Sequence, residues 1–358
     1  ARAVERAGLV PAGFVEPSPA TWEELALVHS PDYLRALRTG TLDAAASARL
    51  ELPCSAAIVE GFRFMTGGTL TATALALDGA DRVAVHIGGG FHHAFAGHGE
   101  GFCMFNDVAV AIRRALATRQ AGSAAVLDLD VHQGNGTASI FGGDGRVFTA
   151  SVHEADNYPL VKPPSALDVG LPRGTGDQEY LSNLDGVLAR LLEQLPDVVF
   201  YLAGADPYMD DQLGRLQLSL DGLRRRDRRV RVRVVRPQRL DKSPVAPSKL
   251  LRHDQAVIRL LRLADSGQPN LQHVLPSGDR RPPLVTIRFE RMLAPHVPMR
   301  APQNRIAGNR PLESCLEIFR ASKNCLSSWF TSCGDVPLPV AIRRRRLRSA
   351  HRSPTAAP

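Results

Sequence analysis

The feature that most limits what this chain can fold into is an alternation. Four short runs rich in Val and Ala, RVAVHIG at 82–88, AAVLDLD at 124–130, RVFTASVH at 146–153 and DVVFYLAG at 197–204, are separated by stretches of helical character. Each run has strand length and is largely apolar, which predicts strands buried on both faces. Between them, FNDVAVAIRRALATR at 105–119 and GDQEYLSNLDGVLARLLEQL at 176–195 place apolar residues at helical spacing. Strands joined through helices pair in parallel by right-handed crossovers, so the expectation is a layered α/β domain. In such sheets ligands sit beyond the carboxyl ends of the strands.

Composition supports a soluble globular domain. With 358 residues, 44% of them hydrophobic, the chain can bury a sizeable core. It has no apolar run long enough to span a bilayer, and its opening ARAVERAGLV lacks the apolar centre of a secretory signal. The cysteines at 54, 103, 315, 325 and 333 have no CxxC spacing, which predicts reduced thiols in a cytoplasmic setting. Charge divides the chain in two. Residues 231–358 hold 24 Lys and Arg against 8 Asp and Glu, a net of +16, and residues 1–230 hold 20 against 28, a net of −8. This asymmetry predicts a catalytic-type domain over 1–230 and a basic, Arg- and Pro-rich, largely disordered tail over 231–358. Such a tail attracts nucleic acid nonspecifically through phosphate. The plainer alternative for RRRDRR and RRRR is solvated charge without a partner.

Each predicted strand leads into polar chemistry. VLDLDVHQGNG at 126–136 places Asp128, Asp130 and His132 at alternate positions, which share one side of a strand. The run at 82–88 opens onto GGGFHHAFAGHGEGFCMFND, with adjacent His92 and His93, and the run at 197–204 places Asp206 at its tip. Asp130, His132 and Asp206 form a three-ligand set of the kind a catalytic zinc uses. The alternative is that Asp130 and Asp206 bond nearby loop amides. His92 and His93 suit general base and acid roles beside a metal, with Asp128 the natural carboxylate partner for one of them. His86, His98 and His153 lack such spacing and are read as structural. The GGG at 88–90 is not a phosphate loop, because neither the GxGxxG spacing nor a following Lys-Ser or Lys-Thr is present.

Together, GGGFHHAFAGHGEGFCMFND, DLDVHQGNG, NYP, GTGDQEYL and AGADPYMDDQLGRLQLS resemble the histone deacetylase superfamily, and HQGNG is most similar to its class IV branch and bacterial relatives. The match runs from about residue 8 to 230. The resemblance implies the arginase-deacetylase fold, an open parallel sheet with helices on both faces. It implies Asp130, His132 and Asp206 as Zn2+ ligands, His92 and His93 as the catalytic pair, Asp128 behind His92, and Asn135 behind His93 where most members carry Asp. It also implies a structural K+ or Na+ near Asp128, Asp130, His132 and Ser151, and an acyl-lysine channel at Gly101 with Phe91 and Phe102 beside it. The implied reaction is hydrolysis of the amide of an N6-acyl-lysine peptide or a similar acylated amine.

One part of the family pattern is missing. The resemblance implies an oxyanion-stabilising tyrosine on a Gly-Gly-Tyr loop after the next strand, yet the last of the five tyrosines is Tyr208. The sequence after GLRRRDRRV shows no further strand and no closing helices, which predicts an incomplete sheet and a shifted frame or a truncation near residue 230. The family's first strand is expected to precede Ala1.

Overall fold

The structure is a computed structural model and describes residues 14–78, 82–235, 282–288 and 340–341. The strands are β1 (Phe14–Val15), β2 (Val83–Ile87), β3 (Ala124–Asp128), β4 (Val147–Glu154), β5 (Leu167–Leu171), β6 (Val198–Leu202), β7 (Leu284–Arg288) and β8 (Val340–Ala341). The helices are α1 (Trp22–Leu25), α2 (Pro31–Thr39), α3 (Ala44–Leu50), α4 (Ala56–Asp78), α5 (Asp107–Ala117), α6 (Asn135–Phe141), α7 (Asp177–Glu193) and α8 (Leu220–Val235).

All eight strands form one sheet in the order β1-β8-β2-β7-β6-β3-β4-β5. The run from β2 to β5 is parallel throughout, and β8 closes one end antiparallel to β1 and β2. The four expected strands are present with each end within two residues of its expected place, and the two expected helices are α5 and α7. β3 and β6 are buried at every position, as strands covered by helices on both faces must be. Two cores flank the sheet. One gathers α4, α5 and their side of the strands, and the other gathers α7 and α8 on the opposite side.

Capping chemistry sets several helix starts. Ser30 accepts from Tyr33 N with Pro31 at the first helical position, Asp43 accepts from Ala46 N, and Asn106 accepts from Ala109 N. α4 is apolar over most of its surface because it is packed from more than one side, with Ile58, Phe62, Met65, Leu70 and Ala76 all buried.

Strand order carries the functional consequence. From β3 the chain moves outward through β4 to β5, then returns with β6 on the other flank of β3. Such a reversal opens a crevice at the carboxyl ends of the two strands on either side of it. The residues following β3 and β6 are therefore brought together there.

The expectation that no strand follows residue 230 is corrected. LVTIR forms β7 between β2 and β6, pairing in parallel with both. A five-residue run among Pro and Arg is too short to stand out by periodicity, and it becomes a strand because both neighbours offer it a complete ladder. The boundary drawn at 230 also falls inside α8, which continues to Val235. Most of the segment expected to be disordered lies outside the described residues. Among the described residues, no helix is long and apolar enough to cross a membrane.

Candidate metal and catalytic site

The crevice collects the residues that follow β3 and β6. Asp130, His132 and Asp206 each offer one ligand atom, and these atoms all lie within 4.8 Å of one another. His132 Nδ1 lies 3.0 Å from Asp130 Oδ1 and 3.4 Å from Asp206 Oδ2. Backbone amides hold the carboxylates in place. Asp130 Oδ1 accepts from His132 N at 2.8 Å, and Asp206 Oδ1 accepts from Val131 N at 3.0 Å. The loop-amide reading and the ligand reading of these aspartates are thus met by the same side chains, one oxygen at an amide and the group facing its two partners.

Charge crowding favours a cation here. Burial and the neighbouring Asp130 charge push the Asp206 carboxyl up to about 7. Burial opposes ionisation of Asp130 too, but the charges and hydrogen bonds of His92 and His132 hold it well below the carboxylate range. Two carboxylates and an imidazole with nitrogen and oxygen donors are a set that fits a divalent metal of the zinc type.

The histidine pair sits in the loop after β2. Gly88 and Gly90 adopt φ of 134° and 96°, which L side chains rarely reach, and this turn aims the loop across the sheet edge. Asp107 anchors it by accepting from Gly90 N and from Phe91 N, the latter at 2.8 Å, while also binding Thr69. His92 Nδ1 lies 2.6 Å from Asp128 Oδ2, His93 Nδ1 lies 2.7 Å from Asn135 Oδ1, and the two Nε2 atoms are 3.1 Å apart. A carboxylate and an amide oxygen only accept, so both rings carry a proton on Nδ1. Burial alone would depress His92, but the charges of Asp128 and Asp130 carry it up to about 9. His93 is pushed well below the usual range by burial and by the charges of His92 and His132.

Other expected residues fall out as follows. Gly101, at φ 52°, lies against the pair, since a Cβ there would sit 3.0 Å from His93 Cδ2 and 3.0 Å from Tyr158 Oη. Phe102 is partly buried against the main core cluster. Phe91 is not on the channel wall. It is 3% exposed and its ring packs 4.8 Å from Phe62 in the core, because the tight turn ahead of His92 sends the two side chains in different directions. Ser151 is the register partner of Asp128 on β4, buried, with its hydroxyl 3.0 Å from His153 Nδ1.

Three contributors were not singled out from sequence. Tyr158 stands edge-to-face with His93 and His132, with centroids 4.9 and 6.2 Å apart. Glu100 accepts from Tyr158 Oη and from Asn135 Nδ2. Their available signals were NYP after the third strand and the acid directly before Gly101. Arg226, read within RRRDRR as solvated charge, is instead fully buried. It donates to Leu129 O and Gly204 O at 3.3 and 2.7 Å and pairs with Asp227. Burying a guanidinium is costly unless it is paired, and here Nη1 ties down the backbone just ahead of Asp130 and Asp206 while Asp227 balances the charge.

Fold and site define an open α/β-sheet protein with a carboxylate–imidazole cluster able to hold a metal ion and an adjoining histidine pair at its topological switch point. Comparison with known proteins narrows this class. The family profile described as Histone deacetylase domain matches residues 1–237, and the chain belongs to this family. A protein of Picosynechococcus is 46% identical over 207 residues, covering 58% of this chain and 68% of the relative. Histone deacetylase 2 of Arabidopsis thaliana is 35% identical over 230 residues, covering 60% of this chain and 58% of its own. The crystal structure of an HDAC homologue from Aquifex aeolicus superposes with a TM-score of 0.54 at 30% identity, covering 61% of this chain and 64% of that one.

Proposed function

We propose that the protein is a zinc-dependent deacylase that hydrolyses the amide of an N6-acyl-lysine or a similar acylated amine. The observation that carries this reading is the placement of two differently anchored histidines beside the Asp130–His132–Asp206 triad. Zn2+ held by these three residues would polarise the acyl oxygen and lower the pKa of a water. With its proton held on Nδ1 by Asn135, neutral His93 keeps a lone pair on Nε2 and suits the role of general base. His92, charged against Asp128, places positive charge beside the reacting carbonyl. The water oxygen bonds to the acyl carbon, the carbon–nitrogen bond breaks, and the proton taken up by imidazole goes to the leaving amine. Gly101 and Tyr158 border the path of the acyl-lysine. K+ or Na+ near Asp128, Asp130, His132 and Ser151 would brace the end of β3.

The test is metal analysis and turnover of the full chain. One equivalent of zinc and release of the acyl group as its carboxylate from an acyl-lysine peptide are expected, with both lost in His132→Ala. A folded sample that takes up no zinc and turns over no substrate at saturating zinc overturns the reading.

A second reading is favoured by one observation, the absence of any tyrosine after Tyr208. Loss of one oxyanion donor typically costs on the order of 100- to 1000-fold in rate. An impaired member would bind acylated ligands, or nucleic acid through its basic segment, without efficient turnover. Because β7 lies inside the sheet, deleting everything after residue 230 is an unsuitable test of that segment. Changing Arg343–Arg346 to Gln and measuring DNA affinity at low salt separates the cases, and unchanged affinity excludes a role for those arginines.

A further inference from the structure

Behind Asn135 lies a carboxylate to which the reaction above gives no role. Glu100 Oε1 accepts from Asn135 Nδ2 at 2.7 Å and from Tyr158 Oη at 2.8 Å, and Oε2 lies 3.4 Å from His98 Nε2. Its backbone is held by reciprocal hydrogen bonds with Cys103, so the side chain projects from a fixed loop. Its side chain is 19% exposed. Burial would raise the carboxyl, but the hydrogen bonds from His98, Tyr158 and Asn135 outweigh it and hold Glu100 below the usual carboxylate range.

The arrangement is a sequence of forced choices. An ionised carboxylate has no proton to give, so Asn135 must turn its amide nitrogen toward Glu100 and its oxygen toward His93. That oxygen also only accepts, so His93 must keep its proton on Nδ1 and its lone pair on Nε2. The same Glu100 oxygen takes the single hydroxyl proton of Tyr158. Tyr158 therefore spends its one donor on Glu100, while its ring stands at 83° to that of His93 and 70° to that of His132. Without the carboxylate, an isolated amide could face His93 with either end at similar cost.

We propose that Glu100 is a positioning residue that sets the tautomer of His93 through the Asn135 amide. In its catalytic consequence this rests on the deacylase reading, but the tautomer itself does not.

The experiment uses the full chain loaded with zinc and the variants Glu100→Ala, Glu100→Gln, Asn135→Ala and Glu100→Ala/Asn135→Ala. Steady-state kinetics are measured on a fluorogenic acetyl-lysine peptide, and the His93 ring is followed by long-range 15N–1H NMR. For Glu100→Ala we expect kcat to fall roughly 10- to 100-fold with KM little changed and zinc stoichiometry intact. We also expect the single Nδ1–H tautomer to give way to a mixture. Added to Asn135→Ala, it should cost nothing further, because the two act in series. Glu100→Gln, whose amide can face Asn135 either way, should show an intermediate loss and decides the matter if the alanine variant does not fold. Unchanged kcat, a loss in KM alone, additive losses, or a retained single tautomer each overturn the proposal. If the wild type binds zinc but turns nothing over, the deacylase reading fails, and the tautomer measurement alone decides the role of Glu100.

Discussion

Asn135 Oδ1 lies 2.7 Å from His93 Nδ1 and holds this histidine with a neutral amide. Its neighbour His92 meets the Asp128 carboxylate at 2.6 Å. Two adjacent rings, 3.1 Å apart at Nε2, are thus anchored by groups of different charge, and the anchors divide their protonation.

In the metal-free protein, His92 is expected to titrate near 9 and His93 well below 6.5. Since the folded value of His92 is raised, the stability it contributes is fully present below pH 6.5 and is lost as pH rises through about 9. Asp128→Asn removes a raising charge and should bring the His92 titration down. Imidazole 15N shifts followed against pH check this, and two histidines titrating together near 6.5 would contradict it.

Arg226, on α8, is fully buried and donates to the backbone carbonyls of Leu129 and Gly204, just after β3 and β6. Arg226→Met leaves Asp227 without its guanidinium and two carbonyls without their donor, and should cost about 3 to 5 kcal/mol. Adding Asp227→Asn should recover part of that. Urea unfolding measures both, with zinc titration as a second readout. A loss under about 1 kcal/mol would show that the pair contributes little.

Acid should destabilise the fold through its buried neutral histidines. His29 donates from Nδ1 to Phe95 O and accepts from Asn106 N at Nε2, so it has no room for a second proton. Burial lowers both His29 and His86 to about 4 from 6.5. The unfolded chain binds the extra protons first, so this stability is present above pH 6.5 and is lost as pH falls toward 4. Each site accounts for up to about 3 kcal/mol. Denaturant midpoints measured from pH 7 to 4 should fall steadily, and His29→Gln should flatten the curve.

Gly101 occupies a left-handed conformation against His93 and Tyr158. Gly101→Ala should cost about 1 to 2 kcal/mol in backbone strain. It should also raise KM for an acyl-lysine peptide, since the new methyl would intrude on the substrate path proposed above. Unchanged KM in a folded variant would place the path elsewhere.

Much of the site was readable because its signals are local. The strand expected over 124–130 ends at Asp128, so Asp130 and His132 lie just past it, and strand-end position sends them, Asp206 and the histidine pair to the same edge. Tyr158 and Glu100 were not readable in this way. They stand 58 positions apart on separate loops, and only the hydrogen bond between them makes them one unit. Arg226 shows the opposite failure. Its neighbours in RRRDRR made it look solvated, but helix geometry turns this one residue inward while Arg224 and Arg225 face out.

By itself the sequence determined the alternation of strands and helices, the parallel α/β class, and the residues at the strand ends able to bind metal or move a proton. Each follows from short-range periodicity and side-chain chemistry. Tertiary structure alone decided the strand order that places β6 beside β3, the insertion of β7, the burial of Phe91 and Arg226, and the link from Glu100 through Asn135 to His93. These depend on long-range pairing, where a strand's partners and a side chain's burial are set by whatever surface arrives next to it and not by its own neighbours in the chain.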